Sequence, residues 1–381
     1  MSERRRASSL WHQERPGRRL MVRPDAFDHA SAGPYSLFPR PLGHSDSLSP
    51  GTSFDVTRFV LGSRLSKAAE RSSALSRALW KFESGIFRSF MAVLRSLSVE
   101  RATAVGRRVA TRVGPGMPKH AKILRNLELA FPEKTAPERE ALAREVWGGV
   151  GALLVEYAHL EDICRPGDGS RLETVIEAEI PAFSANGRPA IFVAAHLANW
   201  ELCAAAISRF APVTAVYTPL QNPYLDAVLA SRRETLGCRL LARDTSMRGL
   251  VRELAAGRSI GMIMDQRVDS GIPVPMFGVD KLTTVVPARL ALRFDCDLVP
   301  LRTERLGDAR YRVTFCPPIR PPDTTGTEAE KALAMTREIN ARFEDWIRAR
   351  PADWFCAKRR WPKDARPAIP ASPGADPAES G

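Results

Sequence analysis

Between residues 79 and 157 apolar side chains recur at three- and four-residue steps, and from Ile176 onward short apolar runs alternate with helical stretches. The first regime predicts amphipathic helices; the second predicts strands interleaved with helices. Leu79, Phe82, Ile86, Phe87, Phe90, Met91, Leu94 and Leu97 mark one helix, with Arg77, Lys81, Arg88 and Arg95 interspersed. After the break at Gly114-Pro115-Gly116 the pattern predicts a helix over 120–129. Phe131-Pro132 stops it, because proline disfavours helical backbone in the residue before it. Thr135 and Glu138 have capping-box spacing ahead of a helix with Leu142, Val146, Val150, Leu153, Leu154 and Tyr157 on one face.

In the second regime the strand candidates are 190–195, 213–217, 259–264, 297–302 and 310–315. Helices are predicted from Asn222-Pro223, over 247–256 closed by Gly257, over 287–294 and over 328–350. This order predicts an α/β fold, a mixed and largely parallel sheet flanked by helices, preceded by an N-terminal amphipathic helical region. The segment 271–278, with Pro273 and Pro275, reads as an extended wall of a groove. The predicted organisation is a basic, disordered extension over 1–75, a folded unit over 76–366 and a disordered tail over 367–381. Within the folded unit, 76–165 is the helical, membrane-associating part and 166–366 the α/β core.

Composition narrows the partners. The chain has 381 residues, 44% hydrophobic and 26% charged, which describes a globular protein, and its net charge of +13 favours nucleic acid, anionic lipid or an acidic protein. The basic residues are not interleaved with a nucleic-acid-binding motif, so nucleic acid is set aside. The Arg-rich, polar start does not read as a signal peptide, and the six scattered cysteines predict reduced thiols inside the cell. No window approaches the ~18 to 20 apolar residues of a spanning helix, so membrane contact would be made from the surface. The basic helix near residue 79 suits that role, although a core-facing helix would show the same pattern.

The candidate chemistry lies in Ile191-Phe-Val-Ala-Ala-His196-Leu-Ala-Asn199-Trp200-Glu201, where an apolar strand delivers a histidine followed five residues later by a carboxylate. Ligand sites in open α/β sheets sit at the carboxyl ends of strands. A turn that folds Glu201 back onto the imidazole would make His196 a general base for a hydroxyl, with Glu201 fixing its tautomer. A histidine satisfied within a loop would present the same residues. No H-E-x-x-H or C-x-x-C pattern occurs, so no metal site is predicted. Asp265-Gln266 ends the strand 259–264 as His196 ends its own, and Arg243-Asp244 precedes the helix at 247. Near the end, Trp354-Phe355-Cys356-Ala357-Lys358-Arg359-Arg360-Trp361 sets three cations between tryptophans, an arrangement suited to phosphate or carboxylate at a wet-to-apolar boundary.

In this order the pieces resemble the bacterial lipid A late acyltransferase family, over roughly residues 79–366. The matching segments are Arg125-Asn126-Leu127 with Phe131-Pro132-Glu133, the His196 to Glu201 block, Asn222-Pro223 with Arg232-Arg233, Arg243-Asp244, Asp265-Gln266 through Phe277-Gly278, and Lys358-Arg359-Arg360-Trp361. Two positions depart from the family pattern: Lys358 stands where many relatives carry a histidine, and Val285 follows the paired threonines where a glycine is usual.

The resemblance implies a glycerolphosphate acyltransferase-like fold at the cytoplasmic face of the inner membrane. It also implies acyl transfer from acyl-acyl carrier protein to a hydroxyl of a Kdo-lipid IVA type precursor in lipopolysaccharide biosynthesis, with no other cofactor. His196 and Glu201 would then be catalytic, Arg243 would bind the oxyanion or a phosphate, and Asn199, Asp265 and Gln266 would line the site. Lys358, Arg359 and Arg360 would bind the acceptor. No G-x-S-x-G elbow occurs, in keeping with direct attack and no acyl-enzyme. An acyltransferase for another membrane lipid, a hydrolase, and a non-catalytic peripheral membrane protein are the competing readings.

Overall fold

The computed structural model describes residues 73–368, apart from 168, 184–186, 244–246 and 323–325. The expected extension up to residue 72, Asp244, and the tail from 369 lie outside the described residues.

Seven strands form one sheet in the order β1-β9-β8-β2-β5-β3-β4. They are β1 Leu172–Ile176, β2 Ile191–Ala194, β3 Val213–Tyr217, β4 Arg239–Ala242, β5 Ser259–Ile263, β8 Leu298–Gly307 and β9 Arg310–Phe315. All neighbours pair in parallel except β8 with β9, which makes the sheet mixed and largely parallel as the alternating pattern predicts. The five predicted strands form. β1 and β4 do not stand out in the sequence, because both lie at sheet edges where burial is incomplete and the apolar run is short.

The central strand β2 is buried on both faces, and its residues alternate between two cores. Ile191, Val193 and Ala195 pack in the core that includes α8 Met247–Ala255, α9 Val286–Phe294 and α10 Glu328–Ala349, together with α3 His120–Ala130. Phe192 and Ala194 pack in the other, with α6 Leu202–Ser208, α5 Leu160–Cys164 and the buried face of α1 Ser73–Arg95.

Helix α4, Ala136–Glu156, begins with the predicted capping box, Thr135 and Glu138 each bonding the other's backbone. Helix α7, Pro223–Glu234, begins with Asn222 as N-cap and proline in the first turn. Helix α2, Val99–Val113, crosses α4 so closely that a Cβ on Gly151 would lie 2.1 Å from the Gly106 carbonyl oxygen. Its buried face carries Val99, Ala102, Thr103 and Gly106, while Val105, Val109 and Val113 are exposed.

The segment 271–278 is not a free groove wall. It belongs to a two-stranded hairpin, β6 Ile272–Met276 with β7 Val279–Thr283, turned at Phe277 and Gly278, both at positive φ. Two-residue hairpin turns of this kind favour asparagine and glycine, and phenylalanine in the first position obscures the signal. The hairpin packs on α10, and Phe277 lies against Trp354 and Trp361.

Helix α1 presents two apolar faces. Met91 and Leu94 are buried, whereas Phe82, Ile86, Phe90 and Val93 remain exposed. No helix among the described residues is long and apolar enough to cross a membrane.

Candidate active site

The parallel register of β2 and β5 brings the site together. Ala194 is paired with Ile263, and the Met264 amide donates to the Ala194 carbonyl at 2.9 Å. Two residues past the end of each strand, His196 and Asp265 therefore emerge side by side at the carboxyl edge of the sheet. The His196 amide donates to Asp265 Oδ1 at 3.2 Å, and His196 Nδ1 lies 2.5 Å from the same oxygen. Asp265 is fully buried and the His196 side chain is 12% exposed, so the carboxylate is sealed off while the ring retains access.

The second oxygen of Asp265 accepts three hydrogen bonds, from Trp354 Nε1 at 3.0 Å and from Arg360 Nε and Nη2 at 3.2 and 2.9 Å. Burial pushes its pKa up, but Arg360, His196 and Lys281 outweigh it and hold the carboxyl well below the usual range. It is therefore an anion. The Nδ1–H of His196 then points at Asp265 and the lone pair sits on Nε2. Burial, with the Arg360 and Lys358 charges, pulls the His196 pKa below its ordinary value despite Asp265. At neutral pH the ring is an uncharged base.

Glu201 is not the ring's hydrogen-bond partner. At the start of α6 it turns toward α7, where Arg233 Nε and Nη2 donate to it at 2.9 and 2.6 Å, and the Tyr157 hydroxyl also donates to it. Burial raises its pKa, but Arg233 and Tyr157 lower it further, and His196 has the least of the named influences. Both ring nitrogens are already engaged by the residues that end β5: Asp265 at Nδ1, and Gln266, whose Nε2 lies 2.9 Å from His196 Nε2. The H-x4-E spacing thus places Glu201 in an ion pair with Arg233, and the carboxylate that contacts the ring comes from the neighbouring strand.

Nor does Asn199 line an open site. It is fully buried, and its amide donates to Glu156 at 2.9 Å. Between it and the histidine, Ala198 adopts φ 49°, a left-handed conformation that costs an L-residue ~1–2 kcal/mol. Surrounding bonds hold the turn: Ala198 N–H donates to Asp353 O at 2.9 Å and Phe355 N–H to His196 O at 2.8 Å.

The basic-aromatic close divides by burial. Trp354 and Trp361 are fully buried, with their indole N–H groups on Asp265 and the Val279 carbonyl, so they are not boundary residues. Arg360 is also fully buried and spends its guanidinium on Asp265 and on the Phe355 and Lys358 carbonyls. It holds the carboxylate in place and has no surface left for an acceptor. Arg359 is exposed and Lys358 half-buried. The Lys358 pKa falls to about 8, from burial first and then from the Arg360, Lys119 and Arg243 charges. Lys119 and Arg243 thus lie within electrostatic reach of Lys358, with Arg243 exposed on the turn after β4.

Three residues to which sequence reasoning assigns no role also surround His196 and its partners. Asn126 of α3 donates to the Cys356 and Lys358 carbonyls at 2.6 and 2.7 Å and accepts from the Arg360 amide at 3.1 Å, clamping the C-terminal segment. Lys281 of β7 is fully buried, donates to the Asp265 carbonyl at 3.1 Å, and has its pKa lowered to about 7, chiefly by burial. Trp200 stacks on Phe355 with centroids 5.3 Å apart and meets the His196 ring edge-on, a half-buried aromatic wall beside the base. A lysine at an alternating position of a short strand was the one available signal for Lys281.

Residues 73–363 match the family model for bacterial lipid A biosynthesis acyltransferases. The chain is 27% identical over 251 residues to the lipid A biosynthesis lauroyltransferase of Escherichia coli (strain K12), covering 64% of this chain and 80% of that protein. It is 27% identical over 259 residues to the myristoyltransferase of the same strain, covering 65% and 76%. The palmitoleoyltransferase of that strain matches at 26% over 189 residues, 47% of this chain and 60% of the relative.

Proposed function

The chain belongs to the bacterial lipid A biosynthesis acyltransferase family and is an acyltransferase, and from that premise we propose that it transfers a fatty acyl chain from an acyl-acyl carrier protein thioester to a hydroxyl of a Kdo-lipid IVA type precursor. The observation that carries the mechanism is the 2.5 Å contact of His196 Nδ1 with a buried, ionised Asp265. That contact fixes the tautomer in which Nε2 can take a proton.

In this reading the acceptor hydroxyl gives its proton to His196 Nε2 as its oxygen attacks the thioester carbonyl. Asp265 stabilises the imidazolium, and Arg360 and Trp354 keep Asp265 in place. Because the acceptor oxygen attacks directly, no acyl-enzyme forms, and the imidazolium then protonates the departing thiolate. General-base assistance supplies roughly 100- to 10,000-fold, and positioning and oxyanion stabilisation the remainder.

Lys358, Arg359 and Arg243 contribute positive charge toward a polyanionic acceptor headgroup in this reading, and phosphate binding suits exposed Arg243 better than oxyanion binding at the ring. The net charge of +13 complements an acidic carrier protein. The exposed stripe Phe82, Ile86, Phe90 and Val93, bordered by Arg77, Lys81 and Arg88, supports peripheral attachment to the cytoplasmic face of the inner membrane.

The test is acyl transfer by purified protein, with acyl-acyl carrier protein as donor and a Kdo-lipid IVA acceptor. Wild-type protein should form the acylated lipid, and His196→Ala should lose activity by roughly 100- to 10,000-fold. Transfer to a lysophospholipid instead would redirect the acceptor assignment; transfer by His196→Ala at the wild-type rate would overturn the mechanism.

A further inference from the structure

The carboxamide of Gln266 occupies the atom that the reaction needs. Its Nε2 is 2.9 Å from His196 Nε2, and because Nδ1–H is committed to Asp265, the ring accepts and Gln266 donates. Imidazole offers one in-plane lone pair at this nitrogen, so an acceptor hydroxyl can be activated only after the carboxamide has left it. The Gln266 backbone is anchored next to Asp265, whose carbonyl is held by Lys281, while the side chain is half-buried. Among the described residues the ring is the hydrogen-bond partner of that side chain. Displacement therefore breaks one bond and leaves the strand end in place.

We propose that Gln266 is a catalytic residue: its N–H caps His196 Nε2 until the acceptor hydroxyl displaces it, and then donates to the carbonyl oxygen of the thioester. This rests on His196 being the base. As the hydroxyl proton passes to Nε2, the new C–O bond forms and the carbonyl π electrons move onto oxygen, where the Gln266 N–H meets the charge. Collapse of the intermediate restores the carbonyl and breaks the C–S bond. The thiolate takes the proton from Nε2, leaving an ester and a free thiol. Because the hydroxyl replaces the carboxamide at the same nitrogen, the freed N–H starts beside the attacking oxygen, which in the intermediate shares a carbon with the oxyanion. An oxyanion donor is required at that place.

The proposal is tested on the full-length protein with acyl-acyl carrier protein and the lipid acceptor. Gln266→Ala should lower kcat by roughly 100- to 1,000-fold, the usual loss for one oxyanion donor, with the acceptor KM changed by less than about threefold. Gln266→Met, which keeps side-chain length and lacks the donor, should show the same loss and carries the test if the alanine variant melts early. Without acceptor, both variants should also speed carbethoxylation of His196 by diethyl pyrocarbonate, read on the His196 peptide by mass spectrometry. A kcat within threefold of wild type, a change confined to KM, or an unchanged carbethoxylation rate would overturn the proposal. If His196→Ala is inactive while Gln266→Ala is active, only this inference fails; if His196→Ala is active, the base assignment fails with it.

Discussion

His196 and Asp265 are 69 residues apart in the chain and 2.5 Å apart at Nδ1 and Oδ1, because each lies just past the end of one of two adjacent parallel strands. Neutralising that carboxylate without changing its shape should therefore act on the base itself. Asp265→Asn is expected to lower kcat by roughly 100- to 10,000-fold. The sign of the pH effect follows from the same contact. The ring must be neutral to accept a proton, so kcat/KM should hold through neutral pH and fall on an acid limb below the ordinary value of 6.5. Asp265 raises the ring's pKa, so Asp265→Asn should move that limb to still lower pH, whereas Glu201→Gln should leave it nearly in place. A limb that moves with Glu201 and ignores Asp265 would restore Glu201 as the partner.

Glu201 and Arg233 form a mostly buried pair, 11% and 16% exposed, with Tyr157 between them. Arg233→Met strands a carboxylate, and chemical denaturation should show a loss of roughly 3–5 kcal/mol. The acid limb of the surviving activity should not shift, which separates this structural role from a catalytic one.

The strand ends, the buried β2 and the capping residues of α4 and α7 were legible because each is a statement about neighbours along the chain. The partner of His196 was not. It depends on β5 lying next to β2, and the order β1-β9-β8-β2-β5-β3-β4 has no expression in local periodicity. Asp265 and Gln266 could be seen to end a strand, but not which strand they faced. The same limit hid the burial of Arg360: three consecutive cations look alike until Trp354 and Asn126 fix which one turns inward.

That division among the three cations yields opposite outcomes for neighbouring substitutions. Arg359→Ala, on the surface, should change thermal stability by no more than about 0.5 kcal/mol. Arg360→Met, which leaves Asp265 without its guanidinium, should destabilise the protein by several kcal/mol and abolish activity together. Lys358→Gln should keep the fold, raise the acceptor KM and weaken the dependence of kcat/KM on ionic strength. Steady-state kinetics at two salt concentrations, with melting curves for each variant, checks all three.

The exposed face of α1 should read out on lipid. Phe82→Ser combined with Val93→Ser removes apolar area without touching the buried Met91 and Leu94. Sedimentation with vesicles containing anionic phospholipid should show weaker binding of the double variant, with acyl transfer to detergent-dispersed acceptor unchanged. Equal binding of both proteins would remove α1 from the attachment surface.

The central claim, acyl transfer to a lipid A precursor with His196 as the base, is tested most directly by mass spectrometry of lipid A from source cells lacking this chain and complemented in parallel. Lipid A from the deletion strain should lack the mass of one acyl chain, the wild-type chain should restore it, and His196→Ala at equal protein level should not. Lipid A of unchanged mass in the deletion strain, or full restoration by His196→Ala, would contradict it.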